Sequence, residues 1–216
     1  MTTSAEPASL DREWMLRALV VLHAPRAVFA ALRDDSDEAA QARQEPVLAL
    51  LWLSGIAGVL LTPVARTLLD DSQRDGLVVA VWAFIGGGIY GALAFWLGGA
   101  LVHGASHALG GQGSYRRARH VVAFASAPVA LSLLLVWPLG IAAFGGDLFR
   151  SGGDDSGAGG TLVYGAAIAC GVWAAALLLV GIRAVHGWTW ARALATFGIA
   201  VVGGAAVVAA FDVLLG

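Results

Sequence analysis

His103 and His107, in the segment "HGASH", come nearest in type and spacing to a metal site. On a helix, residues four apart share one face, so both imidazoles would project together. His120 is a third candidate ligand. A hydrolytic zinc centre also needs a base, and in the HExxH motif a glutamate follows the first histidine. Here Gly104 stands in that place, and no acid occurs between Asp75 and Asp147. The histidines therefore read as interfacial residues at the end of a long helix. No metal or other cofactor is assigned, and the chain is not read as an enzyme.

The second chemical candidate is "GGQGSYRRAR", where glycines precede Arg116, Arg117 and Arg119. Glycine-rich loops can cradle phosphate, but this one lacks GK[ST], dinucleotide spacing and a preceding strand. A flexible turn is the better reading. The arginines beside an apolar run suit either a cytoplasmic loop or contact with anionic lipid headgroups. Arg183 and Arg192 repeat that placement later in the chain.

These residues must be positioned by apolar helices. Hydrophobic residues make up 58% of the 216 and charged residues only 13%, a balance that a bilayer accommodates and a soluble core does not. The net charge of −2 gives no sign of a nucleic-acid partner. Uncharged runs predict five spans, at about 47–65, 77–102, 121–144, 162–182 and 194–215. Lipid cannot satisfy open backbone groups, so each span is helical and the fold class is all-α, a polytopic transmembrane bundle.

Ten arginines fall on one side of these spans: Arg12, Arg17, Arg26, Arg33, Arg43, Arg116, Arg117, Arg119, Arg183 and Arg192. Three, Arg66, Arg74 and Arg150, fall on the other. The bias predicts a cytoplasmic N-terminus and an extracytoplasmic C-terminus in a plasma membrane. Residues 1–45 read as a separate cytoplasmic segment, and 46–216 as the membrane domain. Trp14, Ala18, Val21 and Leu22 form one stripe, and Val28, Phe29 and Leu32 another. The two short helices they imply either lie in the membrane interface or pack on the bundle. Residues 34–45 read as a solvated acidic linker.

Within the spans, charge is absent from every midpoint, which argues against a coupled transporter. Small residues are plentiful instead. Gly87 and Gly91 form a GxxxG pair, and Gly98 and Gly203 extend small faces that let helix backbones approach. Pro63, Pro128 and Pro138 are candidate helix breaks.

The segment "APRAVFAALR", the five spans and "GSYRRARHVVAFASAPVAL" together resemble the Yip1 family of membrane proteins. That family leads a Gly and aromatic-basic stretch into an Ala-Ser-x-Pro segment, matched here by Gly113, Tyr115, Arg116, Ala125, Ser126 and Pro128. Trp173 and Gly181 fit the later part, and the resemblance extends from about Trp14 to Phe211. It implies an integral membrane protein with a cytosolic N-terminus and no established enzymatic activity. Eukaryotic members bind Rab GTPases. That role is not carried over, because the Asp-Leu-Tyr-Gly-Pro element of their cytosolic region is missing and the lysine-free, Ala/Gly-rich sequence points to a bacterial source.

The resulting expectation is a membrane-organising scaffold or partner subunit. Its expected partners are the bilayer, anionic lipids, and a second copy or another membrane protein. Two rivals stand beside it: a transporter or channel-like permease, and a metal-binding membrane protein using His103, His107 and His120.

Overall fold

The computed structural model describes residues 7–62, 67, 76–149 and 157–215. Pro63 lies outside the described residues, as do Arg66, Arg74 and Arg150. Among the described residues the chain is helical, without strands. In chain order the helices are α1 (Pro7–Val20), α2 (Pro25–Ala31), α3 (Asp37–Ala42), α4 (Gln44–Leu60) and α5 (Gly76–Ala108). They are followed by α6 (Tyr115–Ala125), α7 (Ala127–Phe144), a 3-10 turn at Gly145–Phe149, α8 (Ala158–His186) and α9 (Trp190–Leu215).

Among the described residues, four segments are long and apolar enough to cross a membrane: Ala80–Ala108, Tyr115–Phe144, Ala158–His186 and Trp190–Ala210. The helix at the expected first span, α4, is shorter, at 17 residues. At ~1.5 Å per residue it reaches ~25 Å, against a hydrocarbon core of ~30 Å. Among the described residues the structure thus supports four full-length spans where five were expected. Large side chains stay exposed along the long helices, with Leu139 at 70% and Val213 at 83%. Such surface is unfavourable in water and matched to lipid.

The expected third span divides at Ser126, where α6 ends and α7 begins with Pro128 in its first turn. A proline there gives up an amide that has no intrahelical partner. Ser126 itself accepts from Val129 N at 2.9 Å and Ala130 N at 3.0 Å, which starts the new helix. Pro138 lies inside α7, and the helix continues through it to Phe144.

The chain groups into two compact units. One comprises Met1–Leu48, Ala94–Ala125 and Ala176–Gly216; the other comprises Ala49–Leu93 and Ser126–Ala175. The Ser126 break thus coincides with a boundary between them.

The second unit is held by small residues. A Cβ added to Gly55 of α4 would strike Gly87 O and the Gly91 backbone of α5. One added to Gly87 would lie 2.6 Å from Ile56 Cα, and one at Gly91 would strike Leu51 O. The GxxxG pair is therefore a backbone-to-backbone contact within this chain, which only glycine permits at such range. Trp137 packs edge-on to Tyr164 at 6.1 Å in a cluster with Ala57, Leu148 and Leu133. The Tyr164 hydroxyl donates to Leu148 O at 2.7 Å.

The first unit has an apolar core of Val102, Ala105, Ile182, Ala193 and Ala200. The N-terminal helices belong to this unit and bury their stripes: Val21, Val28, Phe29 and Leu32 are almost wholly enclosed. Trp14 meets Phe124 at 5.6 Å. Gly181 makes room for two neighbours, since a Cβ there would lie 2.7 Å from Val121 and 3.0 Å from Phe29. Gly98 and Gly203 also face neighbours in this unit, Val122 and Leu101 respectively.

Candidate functional site

The polar chemistry of the first unit gathers around Asp35. Its position is set by a short local device: Ser36 caps α3, accepting from Ala39 N at 3.3 Å, with Asp37 and Glu38 in the first turn. Acids there oppose the positive end of the helix dipole. Ser114 caps α6 in the same way, accepting from Arg117 N at 3.0 Å. The Ser114 hydroxyl in turn donates to Asp35 Oδ2, so one serine both starts a helix and binds the carboxylate.

Arg116 forks around this point. Its Nε donates to Asp35 Oδ1 at 3.0 Å, its Nη1 to Asp37 Oδ1 at 2.6 Å, and its Nη2 to the Asp35 carbonyl. Arg43 Nη2 also approaches Asp35 Oδ1, at 3.4 Å. Its side chain is fully buried, over the Trp14 ring at 5.5 Å, with Nε and Nη1 unpartnered. Burial pushes the Asp35 pKa up, but the Ser114 and Arg116 hydrogen bonds and the nearby guanidiniums outweigh it and hold the carboxyl below its ordinary 3.8. For Arg43, burial dominates and lowers the pKa, opposed by Asp35 and Asp34.

The other arginines close helix ends. Arg33 Nε donates to Ala184 O at 2.9 Å near the end of α8, and Arg117 Nη2 donates to Arg33 O at 2.8 Å. Arg192 donates to Leu109 O, just past the end of α5. Both helices end in positive-φ glycines, Gly110 at 78° and Gly187 at 65°. Bonds from Gly111 N to Ser106 O and from Trp188 N to Arg183 O complete the two caps. The "GGQG" stretch thus begins as a helix terminator. Arg183 lies over Trp190 at 4.5 Å, and Arg192 over Trp188 at 4.3 Å.

Arg119 is held differently. Its guanidinium sits 4.0 Å from the Trp96 ring, 4.8 Å from Tyr115 and 5.2 Å from Phe95. Tyr115 is fixed by its own hydroxyl, which donates to Trp96 O at 2.7 Å. His103 and His107 stack with centroids 6.1 Å apart, and His103 also meets the Tyr115 ring. His120, 7% exposed, is buried among other residues with Nδ1 unpartnered. Among the described residues no three His, Cys, Asp or Glu side chains gather to hold a metal, so His103, His107 and His120 do not form a ligand set.

Sequence reasoning missed Asp35, Asp37 and Arg43. The signal was the acidic run "DDSDE", which the arginine bias put on the same side as "RRAR". Opposite charges sharing a compartment are candidates to pair. The segment read as a solvated linker carries a helix and the most densely bonded carboxylate described.

The family model of the Yip1 domain matches residues 19–211. No curated protein and no solved structure matches the chain.

Proposed function

The chain belongs to the Yip1 family, a family of membrane proteins, and from that premise we propose that it works as a non-enzymatic membrane scaffold or partner subunit. The observation that carries this reading is the use of its polar side chains. Arg33, Arg116, Arg117 and Arg192 hydrogen-bond to helix ends and to the N-terminal segment. These bonds hold elements together, as a scaffold requires. The buried hydroxyls join no elements, but they too are used internally: Ser106, Ser132 and Thr196 donate to carbonyls of their own helices. A permease needs such groups turned toward a path.

In this reading α4 completes a fifth span, and the N-terminus is cytoplasmic at the plasma membrane. Arg116, Arg117, Arg119, Arg183 and Arg192 lie at headgroup level. The arginine bias supports that orientation. A reporter fused after Gly216 should then be active only outside the cytoplasm; cytoplasmic activity removes the five-span arrangement. The scaffold reading is tested by affinity purification from the native membrane. Self-association or a stable membrane partner is expected, and a strictly monomeric protein with nothing bound counts against it.

A further inference from the structure

Beside the Asp35 cluster lies an open cleft of about 390 Å³, within the range of small-ligand sites at ~300–1,000 Å³. Its walls come from α3, the start of α4, α5 and α6, all within the first unit. We propose that this cleft holds the phosphate of one anionic phospholipid, with Arg119 as the binding group. The proposal deepens the headgroup reading of the arginines and rests on it, by assigning one of them a lipid of its own.

Three observations carry it. First, Arg119 lines the cleft, yet among the described residues its guanidinium has no hydrogen-bond acceptor, and its Nε is buried and unpartnered. The rings of Phe95, Trp96 and Tyr115 hold the cation in place without using its donors. A planar guanidinium with free donors matches a phosphate group by two parallel hydrogen bonds. Second, the charge is complementary to an anion. Arg116 and Arg119 line the cleft against the single carboxylate Asp37, and His120 stands at the wall. Third, the cleft is amphipathic. Val47, Leu48 and Phe95 form its apolar side, and Leu48 and Trp96 continue onto exposed apolar surface of α4 and α5. A soluble anion has no use for that side, whereas a phospholipid has a chain to lay on it.

The test uses the full chain in detergent, titrated with phosphatidylglycerol or phosphatidylcholine and read by native mass spectrometry. One phosphatidylglycerol per chain should be retained in preference to phosphatidylcholine. Arg119→Gln should weaken that retention by about tenfold, the scale of one charge-assisted hydrogen bond. Arg26→Gln removes an exposed arginine outside the cleft and should leave retention unchanged. If Arg119→Gln does not fold, Gln44→Glu serves instead, because it sets a negative charge at an exposed wall position and should weaken retention likewise. Equal loss in Arg119→Gln and Arg26→Gln overturns the cleft while sparing the general headgroup reading. Equal retention of both lipids, or no effect of any variant, overturns it too. Displacement of the lipid by millimolar inorganic phosphate, or by an acidic peptide, marks a site for a soluble anion and overturns the lipid assignment.

Discussion

The two compact units hold their helices by opposite means. In the first, partners far apart in sequence are joined by hydrogen bonds, ion pairs and stacked arginines centred on Asp35. In the second, α4 and α5 meet through Gly55, Gly87 and Gly91, where the absence of side chains lets backbones touch. The difference follows from the solvent each device suits. Apolar chains gain little by leaving lipid, so close packing of small residues is what binds helices there. Charged groups can act as clasps only where water or headgroups help to solvate them.

The comparison can be broken most sharply at Asp35. Asp35→Ala leaves the buried Arg43 without its carboxylate and strips Ser114 and Arg116 of a partner. The loss should be about 3 kcal/mol, the low end for breaking a buried pair. Limited trypsin digestion should then cut faster after Arg43, whose side chain is buried in the parent. Unchanged protection would mean that the clasp is decorative.

Next in size is Gly87→Ala, whose new Cβ meets the Ile56 backbone. Overpacking of this kind costs about 2 kcal/mol, to be read as a lowered Tm in detergent. A neutral result would show that α4 and α5 separate easily and that glycine is not what joins them.

Acid should reproduce part of the Asp35 effect. The folded carboxyl has a depressed pKa, so its contribution is present above the ordinary value of 3.8 and is lost as pH falls through the lower, folded value. Hydrogen–deuterium exchange should find the amides of the N-terminal segment protected at pH 4 and above and increasingly open below it. Loosening already at pH 6 would point to a different group.

The smallest effect is expected at Gly98→Ala. A Cβ there stands 3.5 Å from Val122, an ordinary contact, so stability should change by less than about 0.5 kcal/mol. Gly181 already makes close contacts in the first unit, and a large loss at Gly98 would add a second such glycine there and blur the distinction.

Much of the fold was legible because apolar runs report lipid-length helices directly. The segments near 77–102, 121–144, 162–182 and 194–215 all reappear, with ends displaced where polar residues stay helical. Thus α5 continues through His103 and His107 to Ala108, and α6 starts at Tyr115. Proline acts locally, and Pro128 lies in the first turn of α7. The Asp35 cluster was not legible, because its geometry joins residues about eighty positions apart and leaves no local period. Arg116 could be read as a charge in a loop, but not as a fork around a carboxylate. Gly181 was noted only as part of a resemblance; its neighbours Phe29 and Val121 show why a side chain would not fit.

The bond from Arg33 to Ala184 spans 151 residues of chain. At roughly 5–20 residues per second of synthesis, about 8–30 s separate the two partners. During that interval the N-terminal helices exist without the helix end they will seal, although Trp14 can already meet Phe124 of α6. The Arg33–Ala184 bond therefore forms among the last events of assembly. It acts as a latch that can close only after the end of α8 has been made.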